Sequence, residues 1–336
     1  MQTTTSRRAA LGALAVLLFL SLSPKLVFAQ TPSPALLVLN KEDNSLSIVD
    51  PVSLKTVAQI PTGEGPHEIV ASDDGKLAFV GNYGARTPGS TLSVIDLVAQ
   101  KELHRVDLGA LRRPHGLAFA DGKLWFTAEQ NKLIARYDPA TNRLDWLLGI
   151  GQNGTHMLVF SKDRALLFTS NIGSDSITLL QRGADSNGWS LTNILVGKGP
   201  EGADISPDAR EFWAANSGDG TVSIINVAAK KVIQTLDLHT NHSNRLKFTP
   251  DGKLALLSDP GSDALVIVDA ATRKELKRFT AGRQPEGILI PPDGTRAYVA
   301  LAGEKTVAII DLKTLEVTAR VAVGNGPDGL AWAVRQ

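Results

Sequence analysis

His67, His115 and His156 are half of the histidines in the chain, and each follows the anchor residue of a recurring turn. The anchors are Pro66, Pro114, Thr155, Pro200, Ser243, Pro285 and Pro327, spaced 41 to 48 residues apart. The later copies place Glu201, Asn244, Glu286 and Asp328 at the same position. Seven polar side chains at one phase of a repeat converge if the repeats stand round a common axis. Imidazoles from neighbouring repeats would then suit a divalent ion, and zinc, copper, iron and nickel all accept such donors. Glu201 would complete that set as fourth ligand, or act as acid–base partner to a metal-activated water. The plainer reading of the same ring is a hydrophilic rim lining a wet channel. No local histidine pair at metalloprotease spacing accompanies it.

The elements that must position this ring are short strands. Residues 282–324 contain four of them, at 286–291, 296–301, 306–311 and 316–323, with Pro292-Asp293-Gly294 as a tight turn after the first. A unit made only of strands cannot bury both faces alone, so it stacks on copies of itself. The seventh anchor is followed by a single strand, 328–333, whereas residues 35–61 supply the complementary three. The two ends together make one more unit, which closes a ring and removes the free sheet edges. The expected fold is all-β: a seven-bladed β-propeller of four-stranded blades over residues 35–336, the C-terminal strand joining the N-terminal blade.

In that fold the residue after each anchor opens the innermost strand and surrounds one mouth of the central channel. Asn244, Arg245, Glu286 and Asp328 are therefore candidate binding residues. The loop after the second strand opens on the same face and adds Tyr83 and Glu129, which break the repeat pattern there. Arg245 stands where several repeats have glycine; it would bind an anionic group or pair with Glu201 or Glu286. Insertions at 84–90 and 182–189 are loops between otherwise regular strands. Asp74, Asp121, Asp251 and Asp293, each followed by glycine, read as turn residues, as do Asp50, Asp96, Asp138, Asp269 and Asp311 at the ends of third strands.

Residues 1–29 read as a signal peptide. Arg7-Arg8 precedes an apolar run at 11–22, and Val27-Phe28-Ala29 offers a small-residue cleavage site. The segment is similar to a twin-arginine signal, apart from Ala10, so the general secretory route stays open. Residues 30–34 read as a linker. After cleavage no membrane span is expected, and the protein is expected in the periplasm or outside the cell. Losing Arg7, Arg8 and Lys25 takes the formal net charge from +1 to −2. With no basic stripe, nucleic acid is not an expected partner. The chain has no cysteine, which excludes disulfides, thiolate-bound metals and thiol catalysis. No nucleophile elbow, phosphate-binding loop, dinucleotide fingerprint or zincin motif is present.

The pattern Gly-x-x-Pro, Ser-Pro-Asp-Gly-Lys, Val-x-Asn and Thr-Val-Ser-Ile-Ile-Asn, clearest at 200–226, resembles the YVTN family of bacterial β-propeller repeats. The resemblance covers nearly all of the chain after residue 29 and implies an exported propeller. Residues 114–142 look like blades of streptogramin-lyase-type propellers, and the Pro-His blade openings resemble lactonase propellers. The metal-assisted residues of the lyase family lie in other blades and have no match here. The function expected is a binding module that takes a small molecule or protein at the channel mouth, working as a monomer. The alternative is a metal-dependent lyase or lactone hydrolase built on the His/Glu ring.

Overall fold

A computed structural model describes residues 1–2, 30–183 and 188–336. Most of the expected signal peptide, residues 3–29, and the tip of the 182–189 loop lie outside the described residues. The rest forms seven four-stranded antiparallel sheets. Blade 1 combines Pro327–Ala333 with Ala35–Asn40, Ser45–Asp50 and Lys55–Pro61. Blades 2 to 7 follow in chain order and open with the innermost strands Pro66–Ala71, Pro114–Ala120, Thr155–Phe160, Pro200–Ile205, Leu246–Phe248 and Pro285–Leu289.

Closure follows the expected route. Leu36 faces Trp332, Leu37 faces Ala331 and Val38 faces Leu330 across the two ends of the chain. The linker is docked rather than free: Thr31 is buried and donates its hydroxyl to the Leu97 carbonyl of blade 2. No described helix is long and apolar enough to cross a membrane.

The cores lie between blades. Among the described residues seven apolar clusters occur, one at each blade–blade interface, including the closing one, where Leu36 and Val38 of blade 1 meet Tyr298 and Val307 of blade 7. Alternate residues of one inner strand serve different interfaces. Ile69 packs with blade 1, whereas Val70 packs toward blade 3. Strand alternation sends successive side chains to opposite faces, and in this ring both faces are covered. The channel therefore meets the edges and the ends of the inner strands.

The repeated polar residues are mostly structural. Asp50, Asp96 and Asp311 accept backbone N–H bonds from the turns that follow them. Asp121 and Gly122 both have positive φ, at 55° and 71°, as the tight hairpin between Ala120 and Lys123 requires. The asparagines closing second strands act as clips. Asn82 donates to Thr91 and Ser93 on the neighbouring strand and accepts the Gly63 N–H from the connection between blades. Asn40, Asn171 and Asn216 hold the same pairs of hydroxyls in their own blades.

Candidate functional site at the channel mouth

The inner strands begin with an irregularity. Pairing with the second strand shifts between Pro66 and Glu68, Pro114 and Leu117, Thr155 and Leu158, Pro200 and Ala203, and Pro285 and Ile288. A bulge of this kind sets two residues against one and re-aims their side chains. It falls on the ring residue and the residue after it, except in blade 2, where it falls on His67 and Glu68 is paired with Gly81. Four blades have glycine at the second of these positions, and there the strands nearly touch. A Cβ on Gly287 would lie 2.1 Å from the Asp328 carbonyl, and one on Gly329 2.4 Å from that of His67. The same close approach occurs at Gly116 and Gly202. The other three blades carry Glu68, Met157 and Arg245 at that position, and two of these are charged.

The histidines form a column. His115 stacks on His156 with ring centroids 3.6 Å apart, and meets His67 edge-on at 4.5 Å. Tyr83 closes the side of the column, at 5.3 Å from His67 and 5.4 Å from His115. His115 is wholly buried, and neither of its ring nitrogens has a hydrogen-bond partner among the described residues. Burial, reinforced by the neighbouring His156 and His67, pushes its pKa well below 6.5, so the ring is neutral. Its donor atom converges with those of His67 and Glu68, all within 4.8 Å of one another.

A chain of polar contacts runs around the column. Tyr83 donates to Glu129 at 3.0 Å, and Glu129 accepts from or faces His156 Nδ1 at 3.0 Å. His156 Nε2 lies 3.9 Å from Glu201, which accepts from Asn244 at 3.3 Å. Arg245, almost fully buried, reaches from blade 6 across to Glu68 of blade 2 and also contacts the Asn244 side chain. Asp328 Oδ1 lies 3.8 Å from the same guanidinium, while its Oδ2 lies 2.5 Å from His67 Nδ1 and 3.4 Å from Lys41.

Charge follows from these contacts. Burial pushes the Asp328 carboxyl up, but His67, Lys41 and Arg245 outweigh it and hold it well below the usual range. For Glu129, burial is likewise outweighed by His156 and Tyr83, and the net shift is downward. Burial and the Glu129 charge push Tyr83 up to about 12. Glu286 has no such support: burial and the Asp328 charge raise it to about 7, against the pull of Arg245 and Lys41. It lines a cleft of about 610 Å³ at the mouth, together with Lys41, Glu42, Glu64, Gln284 and Asp328. Gly84 and Ala85 of the blade 2 insertion form part of its wall.

The candidate metal and binding residues of the sequence therefore lie in or beside one mouth, but their grouping differs from the expectation. The atoms that converge belong to His67, Glu68 and His115. His156 is directed to Glu129, and Glu201 to Asn244. Arg245 pairs with Glu68 and approaches Asp328, in place of the expected Glu201 or Glu286. Glu68 was invisible to strict alternation, which sends it to the face opposite His67; the bulge brings the two together.

The family model of YNCE-like beta-propellers matches residues 9–192, more than half of the chain. The chain belongs to that family. A model of the cytochrome D1 heme domain matches residues 148–290 of this YNCE-like chain. No curated protein matches it in sequence. Among solved structures, it is similar to a Bacteroides uniformis protein described as a 6-phosphogluconolactonase, with 17% identity and a TM-score of 0.74 over 90% of this chain and 99% of that one. The periplasmic gluconolactonase PpgL of Pseudomonas aeruginosa gives 18% identity and a TM-score of 0.72 over 91% and 100%. Kuenenia stuttgartiensis hydrazine synthase gives 20% and 0.68 over 80% and 89%. At these identities the likeness is one of fold.

Proposed function

We propose that this protein is an exported propeller that binds a small molecule at its channel mouth, with a divalent metal held by His67, Glu68 and His115. The observation that carries the reading is His115: a neutral, fully buried imidazole whose two nitrogens have no partner among the described residues, beside a second imidazole and a carboxylate. Buried polar groups are normally satisfied, and a metal supplies the missing partner for one nitrogen. Carboxylates also outnumber cations here, with Glu68, Glu129, Glu201, Glu286 and Asp328 set against Lys41, Arg245 and Arg113. Such a mouth favours a bound cation. The ligand set suits zinc, copper, iron or nickel. The segment matched by the cytochrome D1 heme domain supplies His156, Glu201, Asn244, Arg245 and Glu286, which supports reading the mouth as a place for a cofactor or ligand.

The test is metal content of the purified protein together with a Zn²⁺ titration of its metal-free form. The expected result is one bound ion, lost in His115→Ala. Unchanged stoichiometry and affinity in that variant would refute the site.

A second reading is hydrolysis of a cyclic ester at the same mouth. Its specific support is Glu286, a carboxyl near neutrality in the cleft and so suited to exchange a proton with a ligand. Two of the similar folds are described as lactonases. Turnover of gluconolactone that is abolished by a chelator would establish this reading, and no turnover above the solvent rate would dismiss it.

A further inference from the structure

Resting on the metal reading above, we propose that Arg245 is a built-in competitor for the metal: its guanidinium holds Glu68 in the metal-free protein and yields it when a divalent cation binds. Glu68 is the single anionic member of the converging trio, and it is the residue that Arg245 crosses the channel to reach. The equivalent position is glycine in four blades. Arg245 therefore places a buried positive charge where most repeats place no side chain.

The surroundings provide for both arrangements. Arg245 is held at its other fork by the Asn244 side chain, so losing Glu68 does not strand it. Asp328 Oδ1 is buried without a hydrogen-bond partner among the described residues and lies 3.8 Å from the guanidinium Nη2. A small shift of Arg245 toward Asp328 would satisfy both groups. Asp328 also faces His67 Nδ1 at 2.5 Å, so the carboxylate that receives the arginine is the one that orients a metal-binding imidazole. Orienting contacts of this kind tune metal sites. A dication and a guanidinium drawn to the same buried carboxylate repel each other, which weakens the hold of each on it. Metal affinity is thus set partly by Arg245.

The experiment is calorimetric titration of the metal-free protein with Zn²⁺ at neutral pH. The parent is compared with Arg245→Met, Glu68→Gln and the double variant. Arg245→Met is expected to bind Zn²⁺ about tenfold tighter or more, and Glu68→Gln more weakly than the parent. In the Glu68→Gln background, Arg245→Met is expected to gain little. Unchanged or weaker binding in Arg245→Met would overturn the competition and make the arginine a positioning residue for Glu68. An equal gain in both backgrounds would also overturn it, as a general field effect. Failure of the metal site itself is distinguishable, because then the parent and His115→Ala would bind Zn²⁺ alike. If Arg245→Met does not fold, Arg245→Lys serves instead. A single ammonium holds a carboxylate less firmly than the arginine fork. Tighter binding is expected there too, and its absence overturns the proposal.

Discussion

Glu286 is the residue at which the balance of charge in the mouth is most exposed to experiment. Burial and the Asp328 charge disfavour its anion and push the carboxyl up from an ordinary 4.5 to about 7 in the folded protein. A raised acid pKa means that the folded state binds more protons than the unfolded state between those two values. Stability is therefore drawn down as pH rises through that window, and the penalty is complete above pH 7. Glu286→Gln is expected to stabilise the protein at pH 8, with the gain shrinking toward pH 5. Denaturant midpoints at the two pH values check this, and a pH-independent difference would count against it. A companion substitution, Tyr83→Phe, removes a hydrogen bond to Glu129 and is expected to cost about 1 kcal/mol of stability. Thermal melts would show it, and an unchanged melting temperature would mean that water replaces the phenol. At this scale the sequence revealed which residues share the mouth, because repetition exposes a common phase. It did not reveal who pairs with whom. Glu68 was missed because a bulge breaks the alternation on which the assignment rested, and the Arg245–Glu68 pair joins residues 177 positions apart.

The strands were more legible than the side chains. The expected strands 296–301 and 306–311 coincide with Arg296–Leu301 and Thr306–Asp311, since Asp-Gly turns and strand-ending aspartates mark their limits. The glycines of the inner strands were a different matter. Their reason is the neighbouring blade, which sequence spacing does not show. Gly287→Ala places a methyl against the Asp328 carbonyl and is expected to destabilise by about 3 kcal/mol. Gly109→Ala serves as contrast: a Cβ there meets nothing within 4 Å, and only its positive φ of 62° resists the change. Equal melting temperatures for the two variants would remove close strand approach as the cause. Deleting residues 324–336 takes away the innermost strand of blade 1 and bares Leu36 and Val38. Aggregation or loss of cooperative unfolding is expected. A truncated protein that melts like the parent would contradict the closure.

For the whole molecule, the formal charge is +1 and would be −2 if residues 1–29 were removed as the sequence leads one to expect, and the mouth is rich in carboxylates. Single-stranded DNA is therefore expected to bind no tighter than non-specifically at physiological salt. Submicromolar affinity with a steep salt slope would reverse that expectation. Ring closure has a further consequence, for the order of events during folding. Ala35 pairs with Ala333, and Leu36 with Trp332. Blades 2 to 7 need only local hairpins and their neighbours, whereas blade 1 waits for the last strand to be made. Joining such distant segments is slow, because rates fall as contacts become less local. The entropy of closing a long loop grows only logarithmically, so the same step weighs little in the final balance. The inner edge of the first strand, Ala35–Asn40, whose other edge pairs locally with Ser45–Asp50, is thus the last to find its partner, and until then that edge is the place where a half-folded copy would meet another.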